Sequence, residues 1–222
     1  FGDLIGAEAE PGQEIKFCFE KIEEDAGFTG IKGKLMYNLM FALAGSEGRG
    51  FCKINPSPEA KILTSLIDPA GDPVMPGMIR YENSLGGRIV IIACNLKDNL
   101  TSSSIFNYGK KEIFRQSIEW AGQEKLPIFV KGLPNVFCVL NRSKTGDKVV
   151  ATLINLCTDT APSVELMLPD EWNKCRVEIL NIDGDWEKLD VTVANGIVTI
   201  PIELRLLEPV YLKFSLCDIW DY

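Results

Sequence analysis

From Pro127 to Leu216 the chain repeats one pattern: a short apolar run, a turn built from Asn, Asp and Gly, then another short run. The runs at 128–131, 136–141, 148–156, 163–168, 176–181, 187–193, 197–202 and 209–216 read as strands. Turns separate several of them, at 143–147, at Asn181-Ile182-Asp183-Gly184-Asp185 and at Ala194-Asn195-Gly196. Asn-Gly and Asp-Gly pairs tolerate the positive φ that tight hairpins need, so neighbouring runs return antiparallel. Eight short strands so spaced predict an antiparallel β-sandwich over residues 125–222.

Upstream the pattern is mixed. Ile15, Phe17 and Phe19 alternate with Lys16 and Glu20, which predicts a strand over 14–21. The segment 34–43 carries Leu35, Tyr37, Leu39, Phe41 and Leu43 at period two between glycines and reads as a strand, although its Leu, Met and Ala content also suits a helix. Residues 60–67 predict a further strand, and residues 1–11 an irregular lead-in. Gly86-Gly87 then supplies a turn before Ile89-Val90-Ile91-Ile92-Ala93, a run without polar alternation that suits a strand buried on both faces. Residues 110–120 predict the clearest helix, with Ile113, Phe114, Ser117, Ile118 and Ala121 on one face and Lys110, Lys111, Glu112, Arg115 and Glu119 largely outside. Gly122 stops it and Pro127 follows. The expected fold class is therefore mixed α/β and β-rich, with an α/β domain over 1–124 and the sandwich after it.

Composition removes whole classes of chemistry. The 222 residues contain no histidine, which eliminates the commonest general base and every His-containing triad. A net charge of −8 without a basic cluster argues against a nucleic-acid surface. No apolar run approaches the roughly 18 residues a membrane helix needs. The seven cysteines include no C-x-x-C pair and sit mostly in apolar runs, so they read as buried free thiols and favour a reducing compartment such as the cytoplasm. The chain opens on Phe1 with no leader-like segment, which reads as a piece of a longer protein whose signal, if it has one, lies elsewhere.

Local motifs are weak. Gly45-Ser46-Glu47-Gly48-Arg49-Gly50 lacks the Lys-Ser/Thr ending of a phosphate loop. Asp183, Asp185 and Glu187 resemble part of a calcium loop, but strands flank them and a hairpin turn accounts for them. Glu82, before the Gly-Gly turn, is the most suggestive carboxylate, yet no second acid can be matched to it. Cys94 ends a strand where a nucleophile could stand, without the elbow pattern or a His partner. Trp172 and Trp186, flanked by acids and Asn, are candidates for stacking on a sugar. Met36 and Met40 fall on the face opposite Leu35, Tyr37 and Leu39, and Met36, Met40 and Phe41 are candidates for an assembly interface. No metal site and no cofactor is expected.

The stretch Arg80-Tyr81-Glu82-Asn83-Ser84-Leu85-Gly86-Gly87-Arg88-Ile89-Val90-Ile91 resembles one found in the non-catalytic C-terminal region of bacterial glycoside hydrolases of the β-galactosidase kind. The helix ending Glu119-Trp120, then Leu126-Pro127 and 147–156, is similar to the sequel there. The resemblance covers about residue 60 onward. It implies a degenerate glutamine-amidotransferase-like domain followed by a small β-sandwich, with the catalytic acids on a barrel domain elsewhere. On that reading the chain is an accessory region that packs against the barrel or against itself. The alternatives are a carbohydrate-binding module using Trp172 and Trp186, and a carboxylate-based glycosidase.

Overall fold

The computed structural model describes residues 2–13, 18–38, 51–93, 108–133 and 135–216. The chain divides into two compact units, Phe1–Glu124 and Lys125–Tyr222. Both are β-rich, and every pair of strands among the described residues is antiparallel.

In the first unit a short helix α1 (Gly2–Ile5) leads into β1 (Ala7–Gln13). Strands β2 (Cys18–Ile22), β3 (Leu35–Asn38), β4 (Phe51–Pro56), β5 (Lys61–Ile67), β6 (Pro73–Glu82) and β7 (Arg88–Ile92) follow, then helix α2 (Tyr108–Gly122). The lead-in expected to be irregular is thus ordered, because β1 pairs with β4 in a two-stranded ribbon. Its register shifts between Glu10 and Gln13, where Pro11 cannot donate to a ladder. The main sheet runs β3-β2-β5-β6-β7. The alternating strand–helix order implied for an amidotransferase-like domain is not what the described residues form: seven antiparallel strands, five of them in one sheet, precede one long helix. The rest of the expected 34–43 strand, beyond Asn38, lies outside the described residues.

Two apolar clusters lie on the two faces of this sheet. One gathers Ala7, Ile54, Leu66, Met75, Ile79 and Ala93, with Ile91 against it. The other gathers Ile22, Phe28, Ile31, Leu63, Met78 and Ile113 of α2, with Val90 and Ile92 against it. This explains the uninterrupted apolar run of β7, whose alternate residues serve different clusters. The strand is nevertheless half-buried along its whole length rather than fully buried, because it ends the sheet.

Helix α2 corrects the expected face. Ile113 and Ser117 are buried as expected, but Ile118 is exposed, while Lys110 and Arg115 are buried. Lys110 stands three residues before Ile113, on the same stripe. Its ammonium is ion-paired to Glu20 of β2, whose other oxygen accepts the Thr64 hydroxyl at 2.6 Å. A Cβ on Gly77 would fall 2.8 Å from Thr64 Oγ1 and 3.3 Å from Glu20 Oε1, so a glycine leaves room for the buried carboxylate. Arg115 is held between Glu112 and Glu119, one turn away on either side.

The second unit contains β8 (Phe129–Lys131), β9 (Val136–Arg142), β10 (Lys148–Asn155), β11 (Val164–Met167), β12 (Cys175–Leu180), β13 (Trp186–Lys188), β14 (Thr192–Ala194), β15 (Ile197–Ile200) and β16 (Pro209–Leu216). They form a five-stranded sheet, β13-β12-β16-β10-β9, and a four-stranded sheet, β14-β15-β11-β8. One core draws on both: Val149, Ala151, Leu153, Leu212 and Phe214 from the first, Val130, Leu166, Val198 and Ile200 from the second. The run expected as a single strand over 187–193 is two strands, one in each sheet. Alternation in the sequence marks strand character but not which sheet a residue joins.

Candidate functional site

Residues directly opposed across an antiparallel pair share a face, and alternate residues along a strand do too. Arg80 opposes Val90, and Glu82 opposes Arg88. These four therefore stand together on the face of the β6–β7 hairpin where Val90 meets the Ile113 cluster. Trp120, in the last turn of α2, lies against both arginines: their guanidinium carbons are 5.2 Å (Arg80) and 5.3 Å (Arg88) from the ring centroid. That distance permits cation–π attraction.

The two arginines differ in their partners. Arg88 donates to Glu82 at 3.1 Å and to the Trp120 carbonyl at 3.0 Å, satisfying a carbonyl at the helix end. Arg80 has no carboxylate within 4.0 Å among the described residues. Burial and the neighbouring Arg88 charge lower its pKa, with Asp25 opposing them. The Asp25 carboxylate itself stands 3.9 Å from Lys61 Nζ.

Beside Arg80 opens a pocket of about 130 Å³, lined by Gly27, Phe28, Leu63, Arg80, Val90, Gln116, Ser117 and Trp120. Gly27 lets its loop pass over the guanidinium. Its φ is +84°, and a Cβ there would lie 3.3 Å from Arg80 Nη2. Gln116 fixes the same loop to the helix, accepting from Thr29 N at 2.9 Å and donating to Thr29 O at 3.1 Å. The Ser117 hydroxyl is buried without a hydrogen-bond partner among the described residues. The chemistry on offer is one cation, an amide already tied to Thr29, an indole and three apolar walls.

Among the described residues, those singled out from sequence take separate places within each unit. Glu82 is half of the exposed pair with Arg88 and is thereby accounted for as a hairpin residue. The neighbouring Asn83 accepts from Leu85 N and Gly87 N, and donates to Leu4 O at 3.1 Å. Tyr81 covers Gly6, where a Cβ would come within 2.2 Å of the ring. Cys94, Met40 and Phe41 lie outside the described residues, and Met36 opposes Glu20 in the β2–β3 pair.

Trp172, expected to be partly exposed, is only 3% exposed. It closes the 3-10 turn Asp170–Trp172 and points into the core of the second unit, while the acids before it take the solvent side. Trp186 remains half-buried, with Lys213 Nζ 4.6 Å from its ring centroid. In the 181–185 turn, Asn181 accepts from Asp183 N and Asp185 N, which makes it a hairpin turn. The pocket beside Arg80 was not foreseen. Its lining comes from five separate stretches of chain, and no local spacing announces it.

No family model and no curated protein matches the chain. Among solved structures it is similar to α-L-fucosidase isoenzyme 2 from Paenibacillus thiaminolyticus, with a TM-score of 0.56 and 11% identity. The match covers 96% of this chain but 34% of the fucosidase, so the chain spans about a third of that protein's length. At this identity the likeness is one of fold.

Proposed function

We propose that this chain is a non-catalytic accessory region of a glycoside hydrolase, which packs against a catalytic domain or a second copy of itself. The fold likeness carries this reading: nearly all of the chain corresponds to a minor part of a much larger glycosidase. The second unit is read as its β-sandwich.

For packing, the second unit offers an outward apolar row. Val139 opposes Thr152, which opposes Tyr211, and Phe137 stands two residues along from Val139. Phe137 and Val139 are 48% and 40% exposed, and an apolar row of this kind suits a partner surface. In the first unit β3, which carries Met36, ends its sheet among the described residues and offers an open ladder.

Two measurements test the reading. Incubation with a panel of aryl glycosides should give no turnover; activity proportional to protein and lost in Glu82→Gln would overturn it. Light scattering of the isolated chain, alone and mixed with the rest of its parent enzyme, should show association that Val139→Lys or Met36→Lys weakens. A monomer in both conditions removes the packing role. A carbohydrate-binding reading keeps only Trp186, with one ring face under Lys213, and titration of Trp fluorescence with oligosaccharides decides it.

A further inference from the structure

We propose that the pocket between α2 and the β6–β7 hairpin binds a carboxylate carried on a small body, held by Arg80 with Trp120 beside it. Two guanidinium groups share one indole, and Glu82 matches one of them. The local surplus is a single positive charge, carried on Arg80, in a chain whose net charge is −8. A guanidinium is a planar fork whose geometry suits a carboxylate bidentately, and partial burial strengthens such a bond. Ser117 lines the same wall, and Gln116 beside it holds the Gly27–Thr29 loop over the pocket. Phe28, Leu63 and Val90 make the remaining walls apolar, so the ligand's other end is a short hydrocarbon stem or the carbon face of a ring.

Size narrows the choice. About 130 Å³ is a little less than the roughly 150 Å³ of a cavity that holds a benzene ring, which suits a carboxylate on a few carbons. The carboxylate has two possible sources: a free short-chain acid, or the uronate group of a saccharide whose ring stays at the mouth. The second source rests on the glycoside hydrolase reading; the pocket chemistry does not.

The test is binding to the full chain, followed by Trp fluorescence and calorimetry. Butyrate is compared with the isosteric amide butyramide, and galacturonate with galactose. Each acid that binds should do so about tenfold or more tightly than its neutral counterpart, because a hydrogen bond to a charged group is lost in the amide or alcohol. Arg80→Lys keeps the charge but not the fork and should weaken the acid several-fold. Butyrate alone binding assigns a free acid, and galacturonate alone assigns the uronate. Equal binding of acid and neutral partner, acid binding unchanged in Arg80→Lys, or no binding of either acid up to tens of millimolar overturns the proposal. Because the acid–neutral comparison uses the unaltered protein, a variant that fails to fold does not rescue it. Absence of glycosidase turnover or of self-association bears on the proposed function and leaves this result standing.

Discussion

The two units solve the same problem, keeping antiparallel sheets covered, with different interiors. The second has one core fed by two sheets, and its innermost polar side chain, Asn155, is neutral. Its amide donates to Asp159 O and Leu204 O at 2.9 Å, and its carbonyl accepts from Cys157 N. The first splits its apolar residues over both faces of one sheet and inserts a charged pair, Lys110–Glu20, between helix and strand. A core that closes on itself can leave charge at its edge. A lone helix on a sheet has fewer apolar neighbours, and here the buried ion pair fixes where along the sheet α2 starts. Burying charge confers little net stability but penalises misplacement, because a partner left alone is costly.

The largest effects should come from breaking each interior at its centre. Phe214→Ala, in a fully buried position, should cost about 3–5 kcal/mol by urea denaturation, and no second substitution nearby should restore it. Lys110→Met should cost a similar amount, about 3–5 kcal/mol, by removing the cation that faces the buried Glu20 carboxylate. Here the contrast sharpens: adding Glu20→Leu should recover most of the loss, since an apolar pair can replace a buried ionic one. Failure of that double variant would mean the pair does more than hold position. Asn155→Ala should be milder, about 1–3 kcal/mol, as backbone groups lose a buried partner.

The smallest effect lies in the hairpin after β9. The Thr145 and Ser143 hydroxyls donate to Asp147 and hold its carboxyl below the usual range. A depressed folded-state pKa means the contribution is present above the unfolded value, about 3.9. It is lost as pH falls through the folded value. The difference in urea midpoint between Asp147→Asn and the parent should thus be small at neutral pH and vanish in strong acid.

What could be read beforehand followed locality. β16 (Pro209–Leu216) and the Asn181 and Asn195 turns announce themselves through alternation and turn residues that lie side by side. Helix α2 does so through its period, but its charges mislead: Lys110 looks like a solvent residue until a carboxylate ninety positions earlier is placed beneath it. Trp172 misleads in the same way, because its acidic neighbours turn outward as it turns in. β1 was hidden since its partner, β4, is about forty residues away and Pro11 breaks the alternation. The pocket was illegible because Gly27, Leu63, Arg80 and Ser117 are ordinary residues until the fold gathers them.

The Asn83 turn has a consequence for how kinship should be inferred. Tyr81 needs the bare Gly6 beneath it, Glu82 needs Arg88, Asn83 needs both Gly87 and the Leu4 carbonyl, and Gly86 needs its φ of +79°. Six of the eight letters from Tyr81 to Arg88 are spoken for by carpentry. It is a watermark of how the hairpin is joined to α1 and α2, legible in any enzyme that uses the same joint. Shared between two proteins, it vouches for common construction and is silent about the sugar, the linkage and even whether a reaction takes place.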